Sequence, residues 1–135
     1  MANTPSSKKS KGSRLEREIA KRLRDSGLDK NARRMFMSGA MDGFKSDIHT
    51  TLPMIIEAKN QETWSPLAYM EQAERDADIT GKMPVVIMSK NRLPDPMVMM
   101  KMSDWILMLQ RAFIENKLPV QVGVGSFSKH RQVRK

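Results

Sequence analysis

Cysteine is missing from the 135 residues. Its absence excludes a disulfide scaffold, a thiol nucleophile and any cysteine-ligated zinc or iron–sulfur centre, and it suits a reducing compartment such as the cytoplasm. Aromatic residues make up only 5%, which leaves few anchors for a lipid interface. No apolar run approaches the roughly 18 residues of a membrane span. The opening MANTPSSKKSKGSR also lacks the apolar segment of a secretory signal. A cytoplasmic protein without membrane attachment is the expectation. Acidic residues are outnumbered as well, 15 Asp and Glu against 24 Lys and Arg.

The resulting net charge of +9 is the strongest global property. A small domain this basic most often meets a polyanion, and nucleic acid leads the candidates. A soluble protein with basic ends would carry the same charge, so charge alone does not decide. The length suits one ordinary domain, and 39% hydrophobic residues suffice for its core. The 13 methionines, concentrated in VVIMSK and PMVMMKM, read as adaptable core filling rather than as a metal site.

Along the chain, residues 1–11 have no periodicity and read as a disordered basic tail. GSRLEREIAKRLRDSG reads as a helix: Ser13 with Glu16 has capping-box spacing, Leu15, Ile19 and Leu23 form the apolar stripe, and Gly27 is a natural stop. ARRMFMS, SDIHTTL and MIIEAKN follow as strands, with the turn-like SGAMDGFK between the first two. Residues 64–80 form a second helix with Leu67, Met70 and Ala73 facing inward. KMPVVIMS reads as a strand buried on both faces. PMVMMKM is the last strand, and SDWILMLQRAFIEN a last helix capped by Ser103. Residues 12–115 thus form one domain, and 116–135 a C-terminal segment ending in a basic tail. The order of elements predicts an α/β fold, a mixed sheet flanked by helices.

The strand MIIEAKN carries charge where apolar residues are expected. Strand alternation puts Glu57 and Lys59 on one face, with Ile56 and Ala58 on the other. The pair has two readings: a solvated ion pair worth little, or half of an active site. A short hairpin connection brings Asp47 beside Glu57. Two carboxylates in a partly apolar setting repel, and must take up a proton or find a cation. Hard oxygen donors suit magnesium, or manganese, and Glu16 joins them if the first helix packs over the strands. Such an ion generates hydroxide and offsets charge on a phosphate, and Lys59 is placed to orient water or stabilise the transition state.

These residues resemble a known family. Asp47 followed by Glu57-Ala58-Lys59 resembles the PD-(D/E)XK nuclease motif, with Ser46 in place of its proline. KGSRLEREIAKRL is similar to the opening of archaeal-type Holliday junction resolvases. That likeness places Glu16, not Glu18, at the helix glutamate. Arg34 and Ser38-Gly39 resemble the Arg and Ser-Gly that precede the family's Asp, which implies that Ser38 assists cleavage. EQAERDAD and the Met-rich strand after it look more like a phage-borne branch. The likeness spans roughly residues 11–110. It implies a restriction-endonuclease-like core and a magnesium-dependent DNA endonuclease that cuts four-way junctions as a homodimer. Glu16, Asp47 and Glu57 would hold the metal.

Other residues have plainer alternatives. Arg14 and Arg17 are candidate phosphate contacts on a helix face that is otherwise simply solvated, whereas Arg33 and Arg34 lie just before the site. His49 shares the face of Asp47 but has no role in the likeness. Gln72 either faces the site or is solvated, and Trp105 reads as core or dimer interface. Two rivals to junction resolution stand: the same chemistry on branched, mismatched or linear DNA, and a nucleic-acid-binding module without catalysis.

Overall fold

A computed structural model describes residues 5–35 and 46–115. Helix α1 (Pro5–Asp25) leads to the short strands β1 (Arg33–Arg34) and β2 (Ile48–His49). Strand β3 (Met54–Asn60), helix α2 (Pro66–Thr80) and strand β4 (Met83–Ser89) form a parallel β-α-β unit. Strand β5 (Met97–Met100) returns antiparallel to β4. The three-stranded sheet has the order β3-β4-β5, and β1 pairs with β2 in a separate antiparallel ribbon. This mixed sheet with helices against it is the α/β core of restriction-endonuclease type that the sequence predicts.

Each helix covers one face through the expected periodicity. Leu15 and Ile19 of α1 pack with Ile48, Ile56, Ala58 and Val85. Tyr69, Met70 and Ala73 of α2 pack with Val86 and Met88 on the opposite side. Strand β4 supplies Val85 to one cluster and Val86 to the other, so it is buried on both faces, as KMPVVIMS predicts. Gly81 stops α2 at φ +69°, where its N–H reaches the carbonyl of Ala77; a side chain would strain that left-handed backbone.

The structure corrects several expectations. Helix α1 starts at Pro5, so residues 5–11 are helical rather than an unpatterned tail, and Ser13 lies inside the helix. The extension is held by Lys11, only 6% exposed, whose Nζ meets Glu62 at 2.8 Å. Asn60 Nδ2 also donates to the Lys11 carbonyl at 2.9 Å. Leu67 does not face inward but is 75% exposed, because the buried stripe of α2 runs through Tyr69, Met70, Ala73 and Ala77. Among the described residues of ARRMFMS, only Arg33 and Arg34 pair as a strand. Its residues 36–38 and the SGAMDGFK turn, with Ser38 and Gly39, lie outside the described residues, as does 116–135.

The chain divides into two compact units, Met1–Lys101 and Met102–Lys135. The division falls inside the stretch 12–115 that the sequence reads as one domain. In the second unit, helix α3 (Met102–Gln110) begins one residue before the expected Ser103 cap and runs into a π-helical turn, Arg111–Glu115. No residue of α3 is buried, Trp105 included. No helix among the described residues is long and apolar enough to cross a membrane.

Candidate active site

Asp47 is fixed at the free edge of β3. Its N–H donates to the carbonyl of Ile56 at 2.9 Å, and its Oδ2 accepts the N–H of Ala58 at 2.8 Å. The preceding Ser46, which replaces the proline of the motif, is buried. Its Oγ accepts the N–H of Ile56 at 3.0 Å and donates to the carbonyl of Ile48 at 2.8 Å. The hydroxyl thus joins the start of β2 to β3 at buried polar groups that a proline ring would leave unmatched.

Glu57 is 3% exposed and lies between Asp47, Asp76 and Lys59. Burial is the main reason its carboxyl is raised to about 9, with the charge of Asp47 and a hydrogen bond to Asp76 acting in the same direction. Lys59 opposes these effects without reversing them. Burial and the crowding of carboxylates thus favour the protonated form of Glu57, which its hydrogen bond with Asp76 supports. Glu16 approaches Asp47 from α1. Its carboxyl is raised first by burial, and by Asp47, against the opposing hydrogen bond from Arg34 Nε at 2.6 Å.

Lys59 Nζ donates to Gln72 Oε1 at 3.4 Å and stands 5.4 Å from the ring centroid of Tyr69. Helix α2 therefore aims the ammonium, and Gln72 faces the site rather than solvent. Lys59 also lines a cavity of about 450 Å³ together with Lys8, Lys11 and Thr63.

Asp47 thus stands within electrostatic reach of both Glu57 and Glu16, and Lys59 within reach of Glu57. Arg34 belongs with them through its pair with Glu16. Arg14, Arg17 and Arg33 are exposed at the surface, and His49 stands opposite Arg33 in the β1–β2 register. Ser38 lies outside the described residues. Sequence reasoning missed Asp76. Its signal was position: Asp76 is three residues after Ala73 and seven after Tyr69, a carboxylate beside the inward stripe of α2.

Among the described residues no three His, Asp or Glu side chains are gathered as a ready-made ion site. Glu16 is engaged by Arg34, and Glu57 by Asp76. The donor set nevertheless fits a hard divalent cation. It is all carboxylate oxygen, and burial has concentrated more negative charge than Lys59 and Arg34 neutralise, so a proton fills the deficit.

A carboxylate held against an E-x-K strand of a mixed sheet, with helices on either face, defines a nuclease core of the PD-(D/E)XK class. The chain belongs to the family described as "Phage putative PDDEXK endonuclease", which it matches over residues 7–133. No curated protein and no solved structure matches it significantly. Family membership implies endonuclease chemistry on DNA. Nucleases of this class generally use a divalent metal, commonly magnesium.

Proposed function

We propose that the protein is a structure-selective DNA endonuclease that resolves Holliday junctions, with Asp47, Glu57 and Glu16 holding magnesium or manganese. The observation that carries the reading is the placement of Asp47, whose charge acts on both Glu16 and Glu57 while its oxygen is anchored by Ala58. The bound ion would supply an activated water and offset charge on the phosphate. Lys59, aimed by Gln72 and Tyr69, orients that water and stabilises charge developing on the phosphoryl oxygens. Arg34 fixes the Glu16 carboxylate, Ser38 assists at the leaving strand, and Arg14, Arg17 and Arg33 meet phosphates. The opening helix supports a junction substrate through its resolvase-like KGSRLEREIAKRL. Paired nicks in opposed strands call for a homodimer with two-fold symmetry. The cysteine-free sequence suits work in the cytoplasm.

The test compares a labelled four-way junction with linear duplexes of the same arms, in magnesium, beside Asp47→Asn. Symmetric nicks in the junction alone, lost in the variant, are expected. Cleavage of every substrate would keep the chemistry and favour the broader nuclease, which the family description, naming no junction, also allows. Cleavage that survives Asp47→Asn and chelation would refute the assigned site.

A further inference from the structure

Beyond the catalytic carboxylates, the C-terminal ends of the parallel strands β3 and β4 open into a crevice of about 270 Å³. Its walls include Arg14 and Glu18 of α1, the latter paired with Arg22 at 2.8 Å, Asn60 and Ser89 at the strand ends, and Lys90 and Arg92 from the following loop. The loop is firmly placed. Glu62 Oε2 accepts the Asn91 N–H at 2.8 Å while also pairing with Lys11. Trp64 Nε1 donates to the Ser89 carbonyl at 3.0 Å, and Lys90 Nζ stands 5.4 Å from the Trp64 ring centroid. The crevice is therefore built by contacts that join α1, the residues after β3 and the loop after β4.

The cations here divide by use. Lys11 is buried and paired, and so serves the fold. Arg14 and Arg92 are exposed and have no hydrogen bond or ion pair to a described residue. Arg92 also holds φ +65°, a left-handed backbone that non-glycine residues rarely adopt, and such strain concentrates where a side chain is displayed for a task. Two arginines without an ion pair, on either wall of a crevice whose one carboxylate, Glu18, is already met by Arg22, match a phosphodiester.

We propose that this crevice binds one DNA backbone phosphate lying one or two nucleotides from the scissile one. The spacing follows from β3. Three residues separate Glu57 from Asn60, roughly 10 Å at the rise of an extended strand, and successive phosphates of one nucleic-acid strand stand roughly 7 Å apart, about twice the axial rise per nucleotide. The assignment of a cut position rests on the nuclease reading above; the assignment of a phosphate site rests on the crevice itself.

The test scans the substrate strand with single neutral methylphosphonate links and measures binding to Asp47→Asn protein, with wild-type cleavage followed in parallel. A link one or two nucleotides from the cut is expected to weaken binding about tenfold, and that penalty should vanish when Arg14→Gln and Arg92→Gly are added. The same two changes, which together remove one phosphate contact, should lower the slope of log affinity against log salt by about 1. Glycine suits φ +65°, so a folding defect from Arg92→Gly is not expected, and a thermal melt verifies it. A penalty that persists undiminished in the combined variant, or a scan with no sensitive position outside the scissile link, overturns the crevice while wild-type cleavage keeps the nuclease. An Arg14- and Arg92-dependent position in a protein that cuts nothing retains the crevice as a phosphate site and overturns the nuclease.

Discussion

The two faces of β3 carry opposite chemistry at the same depth. Towards α1 the strand presents Ile56 and Ala58, packed on Leu15 and Ile19. Towards α2 it presents Glu57 and Lys59, which meet Asp76, Gln72 and Tyr69. Both Ile56 and Glu57 are buried, yet only one gains from it. Apolar burial stabilises the fold, whereas burial of Glu57 penalises its charged form enough to keep it protonated. The dry face makes the strand rigid, and the charged face uses that rigidity to hold carboxylates in a setting they would not choose. If the charged face is the active site, as proposed, it should oppose stability, and variants can separate the two contributions.

The largest effect is expected from Glu57→Gln. It removes the ionisable oxygen but keeps shape and hydrogen-bonding capacity, so cleavage should fall by about a thousandfold or more. The thermal midpoint of the metal-free protein should stay level or rise, because a buried acid crowded by Asp47 and Asp76 is gone. A variant that loses cleavage together with a large part of its stability would make Glu57 structural and erase the contrast between the faces.

Ile56→Ala addresses the other face. Ile56 is among the largest fully buried side chains, and its truncation should cost about 2–5 kcal/mol in chemical denaturation. A loss below about 1 kcal/mol would mean that the α1 side is loosely packed and cannot serve as the rigid support.

The pH dependence sharpens the comparison. A group whose pKa is raised on folding stabilises fully below its unfolded value and progressively less as pH rises towards the folded one. For Glu57 the window runs from the carboxylate's ordinary 4.5 up to about 9. Stability of the metal-free protein should decline across that window, and Glu57→Gln should flatten the decline. Equal slopes in the two proteins would remove Glu57 as the cause.

How much of this was legible in the sequence follows from range. The α1 stripe of Leu15 and Ile19, the alternation of EAK and the doubly buried β4 are local periodicities, and the structure keeps them. The early start of α1 depends on Lys11 and Glu62, 51 positions apart, which no local pattern announces. Leu67 looked like a core residue by spacing, but Tyr69 takes the inward place and ties its hydroxyl to Gln61 Oε1 at 2.7 Å. The residues of the proposed site were named from motif order. Asp76 and the stitching role of Ser46 could not be, because each acts on a partner brought near only by the fold.

The smallest effect concerns a carboxylate that is the reverse of Glu57. Asp29 accepts the Thr50 hydroxyl at 2.6 Å, the Thr51 N–H at 2.9 Å and the Asn31 N–H at 3.0 Å. These donors, the Thr50 hydroxyl foremost, lower its pKa from 3.8 to about 2. A depressed pKa gives stability that is present above the unfolded value and lost as pH falls through the folded one. Asp29→Asn should therefore lower the thermal midpoint by a few degrees near neutrality, since its amide meets the Thr51 or Asn31 N–H with a donor. The gap from wild type should narrow between pH 4 and about 2 and close below that. A gap that stays constant down to the lowest pH would show that Asp29 acts through packing rather than charge. The comparison would then rest on Glu57 alone, for Asp29 supplies the case of a carboxylate whose donors the fold provides in full.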